Sequence, residues 1–172
     1  NCEPVIPHCV IFTGSAPFGK RLVRASKLWS MQITGYFLKD VRRVMPAFDD
    51  YGVFWLEEPF PAHDYRDYKI ASTLGRVPLA AGENHFTRFE YTRLVGDGAV
   101  RFAQPDLSKT GAITEACRIA ALCSAWKITL NPHTSATGIN MAASIHMLAA
   151  ADNAVNCVAH RRYLNTVPTG KQ

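Results

Sequence analysis

Four side chains able to move protons or hold cations recur at near-regular spacing. Glu57, Glu83, Asp106 and His133 lie 26, 23 and 27 residues apart. Each follows a short apolar run (Val53–Leu56, Pro78–Ala81, Val100–Ala103, Ile128–Leu130) and precedes a helix-like segment. A strand with its returning helix takes ~25 residues or more, and successive parallel strands end on the same side of a sheet. The spacing therefore predicts three carboxyl groups and one imidazole on one rim of a parallel sheet. Two inward carboxylates there repel each other unless a cation lies between them, and oxygen-only donors suit a hard ion, Mg²⁺ first. Asp106 beside His133 would fix the imidazole tautomer and raise its basicity, the arrangement of a general base or acid. The same acids would also serve as plain caps for the helices that follow, and a lone histidine is more often structural. Spacing alone leaves both readings open.

Around these four stand residues with smaller parts. Strand alternation predicts that, of Glu57 and Glu58, one points inward and the other away. Gly82, just before Glu83, permits a tight backbone turn. His85 follows the Glu83-Asn84 turn within reach of a substrate, and Lys109 comes three residues after Asp106. His146 falls in a helical stretch and reads as packing or surface.

The elements that must position them form a βα series from Gly35 onward. Leu38–Asp49 puts Leu38, Val41, Val44, Met45 and Phe48 on one helical stripe, with Pro46 as a kink or a stop. Then come strand Val53–Leu56, helix Tyr65–Leu74, strand Pro78–Ala81, helix Arg88–Gly96 and strand Val100–Ala103. Helix Gly111–Ala125, strand Ile128–Leu130 and helix Gly138–Ala151 complete the series. The strands are continuous in apolar residues, as buried parallel strands are. Residues 1–34 follow no such order: prolines and glycines break every element except a strand-like Cys9–Phe12 and a short basic Arg21–Trp29. Residues 35–155 read as one α/β domain, and 156–172 as an irregular, polar, basic tail.

Composition narrows the class. The chain has 172 residues, is 48% hydrophobic and carries a formal charge of +5. A charge of that sign suits an anionic small substrate; no Lys/Arg block or aromatic-basic motif points to nucleic acid. No apolar run approaches the ~18 residues of a membrane span. The five cysteines show no CxxC or zinc spacing, which fits a reducing cytoplasm, and Cys117 and Cys123 read as core residues of a helix. The chain begins at Asn1 rather than Met, consistent with a fragment.

Four ordered motifs carry a resemblance: Trp55-Leu-Glu-Glu-Pro59, Ala81-Gly-Glu-Asn84, Gln104-Pro-Asp-Leu-Ser-Lys-Thr-Gly111 and Asn131-Pro-His-Thr-Ser135. Together, across about Gly35 to Ala151, they resemble the enolase superfamily, and within it the mandelate racemase branch with its acid-sugar dehydratases. The resemblance implies a partial TIM-type (β/α) barrel made of the later βα units. It implies Mg²⁺ held by carboxylates from three consecutive strand ends, with Glu57 the second ligand and Glu83 the third. It assigns Asp106 and His133 to the acid–base pair, and Glu58 and Asn84, with Lys109 and His85 nearby, to support. The implied reaction is removal of the proton α to a carboxylate through an enediolate, then dehydration of a sugar acid. A racemase or epimerase of a 2-hydroxy acid is the alternative, and a non-catalytic remnant a third. Full-length relatives are expected to be homo-oligomers.

The family pattern breaks at both ends. The Lys-x-Lys strand and the small capping domain are absent. The first metal ligand belongs to an Asp-Ala-Asn-x-Gly-Tyr motif, yet Met31-Gln32-Ile33-Thr34 precedes Gly35-Tyr36. Codons for Ser15–Thr34 can be written so that another frame reads Arg-Ala-Val-Arg-Gln-Ala-Leu-Gly-Ala-Arg-Val-Glu-Val-Val-Val-Asp-Ala-Asn-His, which contains the missing motif. A translated frameshift is the resulting expectation. A weaker case of the same kind lies at Leu164–Pro168. Asn156-Cys157-Val158-Ala159 supplies no acidic residue where the family's last strand has one. With two of three ligands, Mg²⁺ should bind weakly. A closed barrel takes eight strands and ~250 residues, about twice what the chain offers, so little or no activity is expected.

Overall fold

The computed structural model describes residues 31–32, 35–134, 137–152 and 158–159. The expected strand Cys9–Phe12, the expected helix Arg21–Trp29 and most of Ser15–Thr34, where a frameshift is expected, lie outside the described residues. Helices and strands alternate in the order β1 (Met31–Gln32), α1 (Leu38–Asp50), β2 (Leu56–Glu57), α2 (Tyr65–Ala71), β3 (Leu79–Ala81), α3 (Thr87–Gly96), β4 (Phe102–Ala103) and α4 (Ala112–Ala125). The series continues with β5 (Thr129–Leu130), β6 (His133–Thr134), α5 (Gly138–Ala150) and β7 (Val158–Ala159). By contacts the chain divides into two compact units, Asn1–Ala80 with Gly98–Val100, and Ala81–Asp97 with Arg101–Gln172.

In the first unit β1, β2 and the start of β3 run parallel, with Gln32 opposite Glu57 and Glu57 opposite Ala80. Helix α1 buries Val41, Met45 and Phe48, the centre of the predicted stripe. Pro46 lies inside the helix and does not end it. A proline withholds one amide from the ladder, and its ring can be borne on an exposed face; three further backbone bonds (Tyr51 to Ala47, Gly52 to Asp49, Val53 to Phe48) close the C-terminus. Asp49, on the same last turn, accepts from the amides of Arg76 and Val77 at 2.9 Å each, tying the α2–β3 loop to α1. Helix α2 stops at Ala71, three residues earlier than the pattern predicts. The cause is local: Ser72 and Thr73 turn their hydroxyls back to the Lys69 and Ile70 carbonyls, and Thr73 and Leu74 bond three residues back.

In the second unit β4 and β5 pair in parallel, Phe102 with Thr129 and Ala103 with Leu130. The Gln104 amide donates to the Ala81 carbonyl at 3.0 Å. Beyond the expected strand Ile128–Leu130 the chain straightens again as β6, which pairs with β7 through His133–Val158 and Thr134–Ala159. β7 lies in the stretch read as an irregular tail; the rest of 156–172 is outside the described residues. Helix α4 packs Ala116, Ile119, Ala120 and Cys123 inward. Cys117 is exposed, contrary to the expectation that it is a core residue: it sits one residue, about a quarter turn, off that stripe. Cys123 is fully buried, and burial pushes its thiol up to about 12, so it stays neutral.

Candidate active site

The polypeptide places its chemistry where strands give way to loops. β2 ends at Glu57, which is buried and accepts a hydrogen bond from the Trp55 indole Nε1 at 2.9 Å. Strand alternation stops there. Glu58 takes φ 39°, a left-handed conformation rare for a residue with a side chain, and both glutamates are buried. The Glu58 amide donates to the Ala80 carbonyl at 2.9 Å. These contacts belong to the first unit. All that follow belong to the second.

Gly82 turns at φ 145°, and a Cβ there would lie 2.5 Å from the Tyr91 hydroxyl and 2.8 Å from the Gln104 amide nitrogen. This tight passage delivers Glu83 to the rim, while Tyr91 donates its hydroxyl hydrogen to the Gly82 carbonyl at 2.8 Å. His85, expected to reach a substrate, is instead fully buried and lies against Tyr91, the two rings tilted at 59° with centroids 5.7 Å apart. The turn that carries it folds its amide back onto the Gly82 carbonyl, so the side chain points into the unit.

β4 and β5 hold Asp106 and His133 in one register. The pairing of Ala103 with Leu130 continues to a bridge between Asp106 and His133, and the His133 amide donates to the Pro105 carbonyl at 3.1 Å. Neighbouring residues at equal register point the same way, so the side chains meet: His133 Nδ1 lies 3.0 Å from Asp106 Oδ2. The other ring nitrogen, Nε2, is 2.9 Å from Glu83 Oε2. Asp106 Oδ1 accepts from the Ser108 amide at 2.9 Å, the Ser108 hydroxyl at 2.6 Å and the Asn140 Nδ2 at 2.9 Å. Beyond Glu83, Asn84 Nδ2 donates to Glu83 Oε1 at 3.3 Å, and Lys109 Nζ donates to Asn84 Oδ1 at 3.0 Å.

Five predicted positions, Glu83, Asn84, Asp106, Lys109 and His133, thus form one chain of contacts. The electrostatics follow from it. Burial raises the Asp106 carboxyl, but hydrogen bonds from His133 and Ser108 outweigh it and bring the group down to about 2. Burial lowers the His133 ring, but its bonds to Asp106 and Glu83 outweigh that and raise it to about 9. Glu83 is held below the usual carboxylate range: burial opposes this, and the contact with His133, helped by Lys109, prevails. Raised to about 9 between two carboxylates, His133 is an imidazolium at neutral pH, the state that lets both ring nitrogens donate.

The spacing of acids and histidine left four participants unnamed as site residues. Ser108 and Asn140 hold Asp106. Gln104 and Asn131, each at a strand end before a proline, are almost wholly buried, and among the described residues neither carboxamide has a hydrogen-bond partner. The sequence did carry a sign of Asn140, in Thr137-Gly-Ile-Asn140, where a threonine cap draws in the residue three positions on.

Residues 34–165 match the family described as enolase C-terminal domain-like. The chain belongs to that family. A D-galactonate dehydratase from Pectobacterium atrosepticum is 37% identical over 107 residues, which are 62% of this chain and 28% of that protein. A member of the enolase superfamily from Polaromonas sp. JS666 is 48% identical with a TM-score of 0.71, over 76% of this chain and 36% of that one. A mandelate racemase/muconate lactonizing enzyme-like protein from Rubrobacter xylanophilus is 30% identical with a TM-score of 0.74, over 76% of this chain and 34% of that one. The α/β fold with parallel strands is therefore that of part of an enolase-type barrel, and the chain spans about a third of the length of these relatives. Among the described residues no helix is long and apolar enough to cross a membrane.

Does the donor set fit the Mg²⁺ that this family implies? In kind it does, since Glu57 and Glu83 offer carboxylate oxygens. In number it does not. The strand beside Glu57 presents Gln32 opposite it and Met31 one position before, neither a carboxylate. Among the described residues no three His, Cys, Asp or Glu side chains form a group able to hold a metal. One oxygen of Glu57 is taken by Trp55, and one of Glu83 faces His133. Among the described residues, Glu57 belongs to the first unit and Glu83 to the second, and the strand paired with Glu57 adds no carboxylate.

Proposed function

We propose that this chain carries the proton-handling part of an enzyme that removes the proton α to a carboxylate and expels a β-hydroxyl as water, the dehydration of a sugar acid. The observation that carries this reading is the buried His133–Asp106 pair, with Nδ1 3.0 Å from Asp106 Oδ2; Nε2, which faces Glu83 at 2.9 Å, becomes the working nitrogen once Glu83 releases it. With its Nδ1 proton donated to Asp106, a neutral His133 offers a lone pair at Nε2, and the carboxylate raises its basicity. As base it takes the α-proton, and the C–H electron pair becomes the new carbon–carbon bond order. As acid it returns a proton to the β-hydroxyl as the C–O bond breaks, so that water leaves. Lys109, partly exposed beside Asn84, places positive charge where an anionic substrate would approach. The D-galactonate dehydratase relative supports a sugar acid as the substrate class.

The resemblance assigns Mg²⁺ the task of stabilising the charge that develops on the substrate carboxylate. Two carboxylates do not supply that site, so we expect little or no turnover by the chain as written. The experiment compares this chain with a full-length version in which residues 15–34 carry the alternative reading ending in Asp-Ala-Asn-His and the remaining barrel strands and the capping domain are supplied. Both are offered a panel of sugar acids including D-galactonate, with 2-keto acid formation measured. The repaired chain should make product, and His133→Gln in that background should lower the rate about 10²- to 10⁴-fold. Full activity after His133→Gln would refute the assignment.

A further inference from the structure

We infer that Asn140 is a positioning residue: it holds the Asp106 carboxylate in the one rotation that presents Oδ2 to His133. Asp106 has two oxygens and three kinds of donor around them. The two bonds from Ser108 are local, closing a turn two residues on, and they travel with the Asp106 loop. The bond from Asn140 Nδ2, at 2.9 Å and fully buried, comes from 34 residues away on a separate element. It is the contact that refers the carboxylate to the body of the unit rather than to its own loop.

The helix is built to deliver it. Thr137 caps α5, accepting the Asn140 amide on its hydroxyl oxygen at 3.2 Å, so Asn140 occupies the third position of the first turn. The partial positive charge of that helix end lies toward Asp106, which favours the ionised carboxylate. The orientation of the amide is decided by chemistry: an ionised carboxylate only accepts, so the NH₂ group must face Asp106. That choice leaves Asn140 Oδ1 buried without a partner among the described residues, an orientation that the Asp106 contact selects over Oδ1's own satisfaction. Aspartate in this place would set acceptor against acceptor, and serine would fall short. The inference rests on the reading of Asp106 and His133 as the proton-handling pair, and it is tested without turnover.

The probe is the ring Nδ1 proton of His133, observed by NMR in the purified chain labelled with ¹⁵N at histidine and identified by its loss in His133→Gln. In the unaltered chain it should be shifted well downfield and protected from water. Asn140→Ala should move it upfield and speed its exchange about tenfold or more, the loss expected for one hydrogen bond to a charged group. Ser144→Ala, one turn further along the same buried helix face, serves as the comparator and should leave the signal in place. If Asn140→Ala does not fold, Asn140→Ser, which keeps a donor on a shorter stem, gives an intermediate shift under the proposal. An unchanged His133 signal in a folded Asn140 variant, or an equal change in Ser144→Ala, overturns it. Loss of dehydration in His133→Gln with no effect of Asn140 on the signal would sink the positioning role and leave the assignment of the pair intact.

Discussion

The side chains of Asp106 and His133 give the chain a defined pH window. Asp106 is brought down to about 2, so the stability it contributes is present above its ordinary 3.8 and is lost as pH falls through about 2. His133 is raised to about 9, so its contribution is complete below its ordinary 6.5 and is lost as pH rises through about 9. Urea midpoints should therefore be flat between about 4 and 6.5, with a decline from 6.5 to 9 that His133→Gln removes. A decline of the same size in His133→Gln would place its origin elsewhere. At this scale the sequence was informative because acids and histidines advertise their chemistry, and constant spacing stood in for register. It was silent on Ser108 and Asn140, whose types occur in any loop or helix turn and gain meaning only when folding brings them to Asp106. It misread His85 for the same reason, since adjacency in sequence does not say which way a turn sends a side chain.

Among the elements, two contacts carry more than their length suggests. Asp49 at the end of α1 accepts from two backbone amides of the α2–β3 loop. Asp49→Ala should cost about 1–3 kcal/mol, because the Val77 amide it leaves is part-buried; a change in urea unfolding within error of zero would contradict this. Gly82→Ala should cost about 3 kcal/mol or more, since its φ disfavours a side chain and the new Cβ meets Tyr91 and the Gln104 backbone. Recovery of a folded protein of unaltered stability would show that the strand end can give way. Element type and order were legible from the alternation of apolar runs and helical stripes. Boundaries were not: α2 ends early because of Ser72 and Thr73, α1 continues past Pro46, and β6 arises from pairing with a distant segment that no local pattern announces.

For the molecule as a whole, the fold and the site part company. Residues 34–165 retain the sequence of the enolase C-terminal domain-like family, and the second unit assembles Glu83, Asn84, Asp106, Lys109 and His133 into one contact chain. The strand beside Glu57 carries Met31 and Gln32 where the family motif has an aspartate. The central proposal is that Asp106 and His133 keep the proton-handling roles and that the chain, without a carboxylate at position 31, does not hold Mg²⁺. The most direct measurement is a thermal-shift titration with MgCl₂ on the purified chain and on Met31→Asp. A ligand that binds only the folded state stabilises it by about 2.7 kcal/mol at a hundred times its dissociation constant. The account predicts no Mg²⁺-dependent shift for the chain as written and a saturable upward shift for Met31→Asp. A saturable shift in the unaltered chain, of the size seen in Met31→Asp, would contradict it.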